Sequence, residues 1–268
     1  MIFEFHPGRQ LTIDCPYPEA RSVIQGNNPG WVFGDKPINP QTVLVWSQGI
    51  RGFYLIGDRK NEVFLNELNT VISCDLKSKL IQHQVTWIEI CGGPSWDNII
   101  EKMFSDRNLE KSKQLVYKLD LDDYKLDKQP EINDEYQLLK INQDILNNSS
   151  LVNKKFLLSK LSQFWGTSEN FLDRGIGYIL TVENQIASLC FSGFVTEDIR
   201  VIDIETVKFH RRKGFAALVA QVFLSECVNQ GLHIHWDCMA ENIASVKLAE
   251  KIGLVKRHEY TLYSFHLD

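Results

Sequence analysis

The stretch Val201-Ile202-Asp203-Ile204-Glu205-Thr206-Val207, followed by Arg211-Arg212-Lys213-Gly214-Phe215-Ala216 and an apolar run to Asn229, decides how this chain folds. Its first part is a β-rich run, and Phe215, Leu218, Val219, Val222 and Phe223 then repeat at helical spacing. Gly231 is placed to stop that helix. Strand, basic glycine turn and helix together form the arrangement that holds a pyrophosphate on free backbone N–H groups. A short basic run alone reads as a solvated turn; its position between a strand and a helix makes it a site for a small anion. A second signal follows, Asn242-x-x-Ser245-x-x-Leu248, ending at Gly253-Leu254.

Working outward, Ile176 to Val182, Ile186 to Val195 and Ile199 to Val207 read as three strands joined by polar turns, an antiparallel meander. Tyr136 to Ile141 reads as a short strand before them, with helical segments at Asn142–Asn147 and Val152–Phe164. After the helix come a strand at Leu232–Cys238, a helix at Ile243–Lys251 and a strand at Tyr260–His266, so the chain ends β-β-β-α-β-α-β. Asp120 to Glu135 is charge-rich, contains Pro130 and reads as a linker, which gives expected domains at 1–127 and 128–268. In the first domain Thr42–Trp46 and Phe53–Ile56 read as a hairpin, Asn61–Ile72 as a helix, and Val85–Cys91 as a strand ended by Gly92-Gly93-Pro94. Ser95 reads as the cap of a helix reaching Phe104, and Leu115–Leu119 as a last strand. No internal repeat is strong enough to assign. The expected fold class is α/β (α+β): a mixed, mostly antiparallel C-terminal sheet flanked by helices, preceded by a smaller mixed α/β domain.

At 268 residues the chain has room for two modest domains or one large one, and its 44% hydrophobic and 24% charged residues are those of a soluble globular protein. A net charge of −5 argues against nucleic acid as a partner, which needs a basic face, so the Arg211–Lys213 cluster is a local site. Met1 to Pro7 has an acid and a proline where a secretion signal needs an unbroken apolar stretch, and no segment is long enough to span a bilayer. The six cysteines show no Cys-x-x-Cys spacing, which points to reduced thiols in a cytoplasmic protein, and without a spanning segment no membrane partner is expected. His233, His235 and Cys238 lie close together, but on a strand the histidines share one face and Cys238 takes the other, so no metal is expected.

The C-terminal part resembles the GNAT superfamily of N-acetyltransferases. Arg211-x-x-Gly214-x-Ala216 matches that family's Gln/Arg-x-x-Gly-x-Gly/Ala pyrophosphate signature, and Asn242-x-x-Ser245-x-x-Leu248 with Gly253-Leu254 matches its second motif. More narrowly, Ile204-Glu205-Thr206, the basic turn and Trp236-Asp237-Cys238 resemble a two-domain bacterial branch that includes zwittermicin A resistance acetyltransferases. The aromatic and glycine pattern from Gly30 to Asp58 extends this likeness to most of the chain. The resemblance implies acetyl-CoA as cofactor and a strand end, Ile204 to Lys208, splayed from its neighbour to receive the pantetheine arm. It implies a free amide near Thr206 or Val207 that polarises the thioester carbonyl, like an oxyanion hole. It also implies that Asn242 hydrogen-bonds the pantetheine and that Ser245 lines the same wall; a helix cap is the other role open to Asn242.

Physical reasons stand beside the likeness. Gly214 lets the backbone approach the phosphates, and small Ala216 leaves the helix start uncrowded. The N–H groups from Arg212 and Lys213 through Phe215 to Ala216 offer donors, helped by the helix dipole and by the charges of Arg211 and Lys213. An acceptor amine is protonated near neutral pH and must lose a proton before it attacks. Glu205, on the strand beside the thioester, is the first candidate base, against the plainer reading of a surface glutamate. His210 is too near the phosphate turn, and His235 is a weaker rival. Family members often carry Tyr directly after the leucine of the second motif, where it protonates the leaving thiolate; here the position is Ala249. A thiol with a reference pKa of about 8.5 leaves tolerably without a dedicated acid. Tyr260, Tyr263 or water are the substitutes left open.

The sequence therefore predicts an acetyl-CoA-dependent N-acetyltransferase acting on a primary amine of a small molecule by direct attack in a ternary complex. No residue stands out as a covalent acetyl carrier, although Cys238 leaves a ping-pong route open. The first domain is expected to wall the acceptor side; Trp31, Trp46, Trp87 and Trp96 there shape a pocket or belong to the core. The alternative is a non-catalytic acyl-CoA sensor or self-protection protein, kept alive by Ala249. A protein-lysine acetyltransferase would want an open acidic groove. Pairing into a homodimer is left open.

Overall fold

A computed structural model of the chain describes residues 2–8, 11–120 and 135–267. They fall into two compact units, Met1–Gln114 with Glu259–Asp268, and Leu115–His258. The expected boundary at 127/128, and all but the ends of the expected linker, lie outside the described residues.

In the first unit β1 (Phe3–Phe5) and α1 (Pro18–Ile24) precede an antiparallel meander of β2 (Gly30–Gly34), β3 (Thr42–Ser47) and β4 (Gly52–Gly57). α2 (Glu62–Thr70), one π turn at Val71–Asp75 and α3 (Lys77–Gln82) lead to β5 (Trp87–Cys91), which runs parallel to β4 with Phe53 opposite Ile90. α4 (Asp97–Met103) follows, then β6 (Glu110–Leu119), which belongs to the second unit from Leu115 on, and β12 (Leu254–His266), which from Glu259 on belongs to the first unit and pairs antiparallel with β5, Tyr263 opposite Ile90. Alternate strand residues serve two cores. Leu44, Trp46, Phe53 and Leu55 pack with Phe64 and Leu68 of α2, whereas Val43, Val45, Tyr54 and Ile56 pack with Ala20 and Val23 of α1. A sheet covered on both faces needs apolar residues at every position, which is why Val43 to Trp46 is a continuous hydrophobic run. Ser95 does not cap α4. Gly93, at φ +75°, accepts from the Trp96 N–H at 2.9 Å, and this turn delays the helix so that Trp96 becomes its N-cap.

The second unit runs β7 (Gln137–Lys140), α5 (Gln143–Asn147), α6 (Lys154–Trp165), α7 (Ser168–Arg174), β8 (Gly177–Val182), β9 (Gln185–Val195) and β10 (Ile199–Thr206). A 3-10 turn (Lys208–His210), α8 (Phe215–Asn229), β11 (His233–Met239) and α9 (Ile243–Lys251) complete it. Its strands stand in the order β7-β8-β9-β10-β11-β6. β7 to β10 pair antiparallel, while β11 pairs parallel to β10, Arg200 opposite Ile234. α8 buries Val219, Ala220, Phe223 and Leu224 in a core with Leu180, Ala187, Cys190 and Trp236. Gly231 stops α8 as expected: at φ +69° it bonds Val228, and Leu232 bonds back to Cys227, satisfying the last carbonyls.

The expected mixed α/β class is the observed one. Topology also reveals a repetition that the sequence hides. Each unit is a strand, one or more helices, a three-stranded meander, a helical segment, a strand parallel to the last meander strand, and a further helix.

Candidate functional site

The site grows from a fault in strand pairing. At Val201/Ile202 the register of β10 against β9 slips, because β9 carries one extra residue, Gly193. A bulge of this kind bends the strand and sharpens its twist. Pairing of β10 with β11 ends at Val201 opposite His235, although β10 continues to Thr206 and β11 to Met239. The two strands therefore part over their C-terminal halves, where the splay was expected.

Beyond the slip, hydrogen bonding to β9 alternates. Val207 donates its N–H to the Ala187 carbonyl at 2.9 Å, so the expectation of a free Val207 amide is corrected: β9 uses it. By alternation Thr206 faces the other way, its N–H and C=O turned toward the parted side. The Thr206 carbonyl there accepts from Arg211 Nε at 3.0 Å, which anchors that guanidinium and leaves its two terminal nitrogens directed outward.

The turn that follows supplies the donors. Arg212 and Gly214 both adopt left-handed backbone, at φ +63° and +83°. Gly214 is the N-cap of α8, and with no side chain it offers the helix no cap. Helical hydrogen bonds begin with the Ala217 N–H on Gly214 O at 3.0 Å, so the N–H groups of Phe215 and Ala216 have no acceptor within the helix. A Cβ at Gly214 would meet nothing within 4 Å, so the mouth is open.

α9 forms the facing wall. Asn242 is its N-cap, the side chain accepting from the Ser245 N–H at 3.2 Å. Ser245 Oγ in turn accepts from Trp236 Nε1 at 3.1 Å. A cleft of about 580 Å³ is lined by β10, the turn, α8 and α9, and takes in Thr206, Arg211, Arg212, Gly214, Phe215, Ala216, Asn242 and Ser245. Val207 and Lys213, also expected there, are not among its lining residues. Sequence reasoning missed Lys247 and Lys251, which line the cleft beside Ala244 and Leu248. Their spacing from Ala244 is that of one helix face, the signal that was available. His210, set aside at first, also lines the cleft, and its Nδ1 is buried with no hydrogen-bond partner among the described residues. Four cations, unused helix amides and an unanswered imidazole nitrogen fit a multiply charged phosphate ligand.

A family model for GNAT acetyltransferases matches residues 16–263. The chain belongs to the GNAT acetyltransferase family. It is thus an N-acetyltransferase by family, and family members use acetyl-CoA as cosubstrate. Among its relatives is the uncharacterized N-acetyltransferase YdfB of Bacillus subtilis (strain 168), 25% identical over 90% of this chain and 88% of the relative. The fold is shared with a GCN5-related N-acetyltransferase-like protein from Streptococcus suis, at a TM-score of 0.68 and 20% identity over 94% of each chain. A tandem GNAT protein from the clavulanic acid biosynthesis pathway also shares it, at a TM-score of 0.58 and 10% identity over 90% of this chain and 84% of that one.

Within this GNAT chain the catalytic candidates separate clearly. Glu205 lines the cleft, and its Oε2 lies 2.7 Å from Lys160 Nζ of α6, a partner that the sequence did not suggest. Cys238 is buried and is not a lining residue; burial raises its thiol pKa, against hydrogen bonds from Ser245 and Trp236. Ala249 is fully buried in the α8 core, so a tyrosine side chain has no room there. Tyr260 and Tyr263 group with the first unit, where Tyr263 Oη donates to Glu101 Oε1 at 2.9 Å.

His235 is buried, and burial, then the charges of Lys118 and His258, push its pKa down to about 3. It is neutral when folded and takes a proton on unfolding below about pH 6.5. Stability from this residue is thus complete above that pH and is lost as pH falls toward 3, by up to about 1.4 kcal/mol per pH unit. Urea unfolding at pH 7.5 and 5.5 is expected to show a drop that His235→Asn reduces by about 1 kcal/mol; an equal drop in both proteins contradicts this.

The first unit repeats the strand–turn–helix element but closes it. Asn61 caps α2, accepting from the Phe64 N–H at 3.2 Å and donating to Asp35 Oδ2 at 2.9 Å. Asp58 Oδ1 takes the Lys60 N–H at 2.9 Å. Asn61 takes the Phe64 donor and the Glu62 N–H goes to the Lys60 carbonyl at 2.9 Å, so that helix mouth has a side-chain cap where α8 has none.

Proposed function

We propose that the chain transfers the acetyl group of acetyl-CoA to a primary amine of a small molecule, by direct attack in a ternary complex. The observation that carries this is the uncapped mouth of α8, opening beside the parted strands in a cleft with four cations. When bound, acetyl-CoA supplies an activated acetyl group as a thioester. Phe215 and Ala216 N–H groups, with Arg211 and Arg212, would hold its diphosphate, and Lys247 and Lys251 would answer further phosphate charge. Lys213 adds long-range attraction from outside the lining. Asn242 keeps its amide Nδ2 available after Oδ1 has capped α9, which supports both roles expected for it. Ser245 holds the wall through Trp236.

Thr206 N–H, turned to the parted side, is the donor available to polarise a carbonyl in the gap. Glu205 takes the proton from the acceptor's ammonium, leaving a neutral amine to attack. No side chain is assigned to protonate the sulfur, since a thiolate of reference pKa about 8.5 departs without one. Burial of Cys238 supports direct attack over an acetyl-cysteine route. The likeness of Ile204-Glu205-Thr206 and Trp236-Asp237-Cys238 to the branch with zwittermicin A resistance acetyltransferases supports a small-molecule acceptor.

Thiol release from acetyl-CoA across a panel of primary amines tests the reading. Release that depends on one class of amine is expected, and binding of acetyl-CoA without release for any amine overturns it. Because Asn61 caps the first unit's helix mouth, calorimetry is expected to give one acetyl-CoA per chain. A stoichiometry of two contradicts that assignment.

A further inference from the structure

Glu205 does not stand alone on β10. Asp203 lies two residues earlier on the same strand face, and Lys160 reaches both from α6: Nζ is 2.7 Å from Glu205 Oε2 and 3.7 Å from Asp203 Oδ2. The lysine side chain is 20% exposed, and its ammonium lies 6.0 Å from the centre of the Phe164 ring. The bulge makes room for this approach. A Cβ at Gly193 would lie 3.1 Å from Phe164 Cδ1 and 3.4 Å from Asp203 Cβ, so glycine lets α6 close on the strand. Asp203 Oδ2 has no hydrogen bond among the described residues, so the Lys160 charge is what answers it.

We infer that Lys160 is a positioning residue for acetyl transfer: from α6 it clamps the Glu205 carboxylate in one orientation at the cleft, with Asp203 as its second anchor. This rests on the reading of Glu205 as the base. With the Glu205 side chain 37% exposed, solvent screens the pair and it contributes little to stability, so a role in orientation accounts for the arrangement better than a role in folding. Burial works against the Lys160 charge, yet Asp203 and Glu205 together raise its pKa; the lysine stays an ammonium and does not compete as an acetyl acceptor. Burial raises Asp203 against the pull of Lys160. The other titratable or charged groups around the pair are the buried Cys190 thiol on β9 and, on the cleft side, His210, Arg211 and Arg212.

Lys160→Met removes the charge that clamps Glu205, whereas Lys160→Arg keeps it, so Lys160→Arg is expected to restore the turnover that Lys160→Met loses. In the acetyl-CoA thiol-release assay, with the fastest amine of the panel, Lys160→Met is expected to lower kcat about tenfold with KM for acetyl-CoA unchanged. Lys160→Gln serves equally if Lys160→Met does not fold. Full kcat in Lys160→Met, or a loss in Lys160→Arg equal to that in Lys160→Met, while Glu205→Gln is inactive, overturns the role of Lys160 alone. Full turnover in Glu205→Gln removes the base reading and this inference with it.

Discussion

Gly214→Glu is expected to weaken acetyl-CoA binding at least about 100-fold by calorimetry while leaving the circular dichroism spectrum and cooperative unfolding in place. The new carboxylate would sit at the N-terminus of α8, offering the Phe215 and Ala216 amides an internal partner and opposing a diphosphate by charge. Nothing lies within 4 Å of a Cβ at this position, so no clash spreads into the core. The left-handed backbone at φ +83° still costs a side chain about 1 kcal/mol, which a folded unit of this size tolerates. Gly214→Ala carries that strain without the charge and is expected to bind within a few-fold of wild type. Wild-type affinity in Gly214→Glu would falsify the placement of the cofactor.

The second large effect is expected from Glu205→Gln: a fall in kcat of about 100-fold to 1,000-fold, with KM for acetyl-CoA little changed. Glutamine keeps the shape of the side chain but cannot take the amine's proton, and it gives up the ion pair with Lys160 at 2.7 Å. The Lys160 ammonium then has Asp203 as its remaining carboxylate in the pair of bridges. Retained kcat would assign the base elsewhere in the cleft, where His210 is the lining imidazole.

What the sequence disclosed, and what it withheld, follows from how local each feature is. The basic turn, the period of α8, its Gly231 stop and the meander strands depend on residues close in sequence, and all were legible. The asparagine that opens α9 was legible as a cap, since an Asx cap is a local signature. The parting of β10 from β11 depends on the register slip at Gly193 of β9, a non-local effect of pairing that no window along the chain contains. The same non-locality concealed the Val207 amide's bond to Ala187 and the reach of Lys160 from α6. Lys247 and Lys251 were visible as residues, but only the facing of α9 toward the turn gives them a role. Ser95 resembled a cap because serine favours that position, yet the turn closed by Gly93 sets where α4 starts. The repetition between the two units survives in strand order alone. One helix mouth is capped by Asn61 while the other is bare and lined by cations, so side-chain likeness has gone.

Amide 1H–15N spectra recorded while acetyl-CoA is added test the cleft assignment most directly. The Gly214, Phe215 and Ala216 resonances are predicted to move furthest, with smaller shifts at Thr206 and Asn242 and no change around Asn61 and Phe64 in the first unit. Saturable shifts elsewhere, with the amides at the head of α8 unmoved, would contradict it.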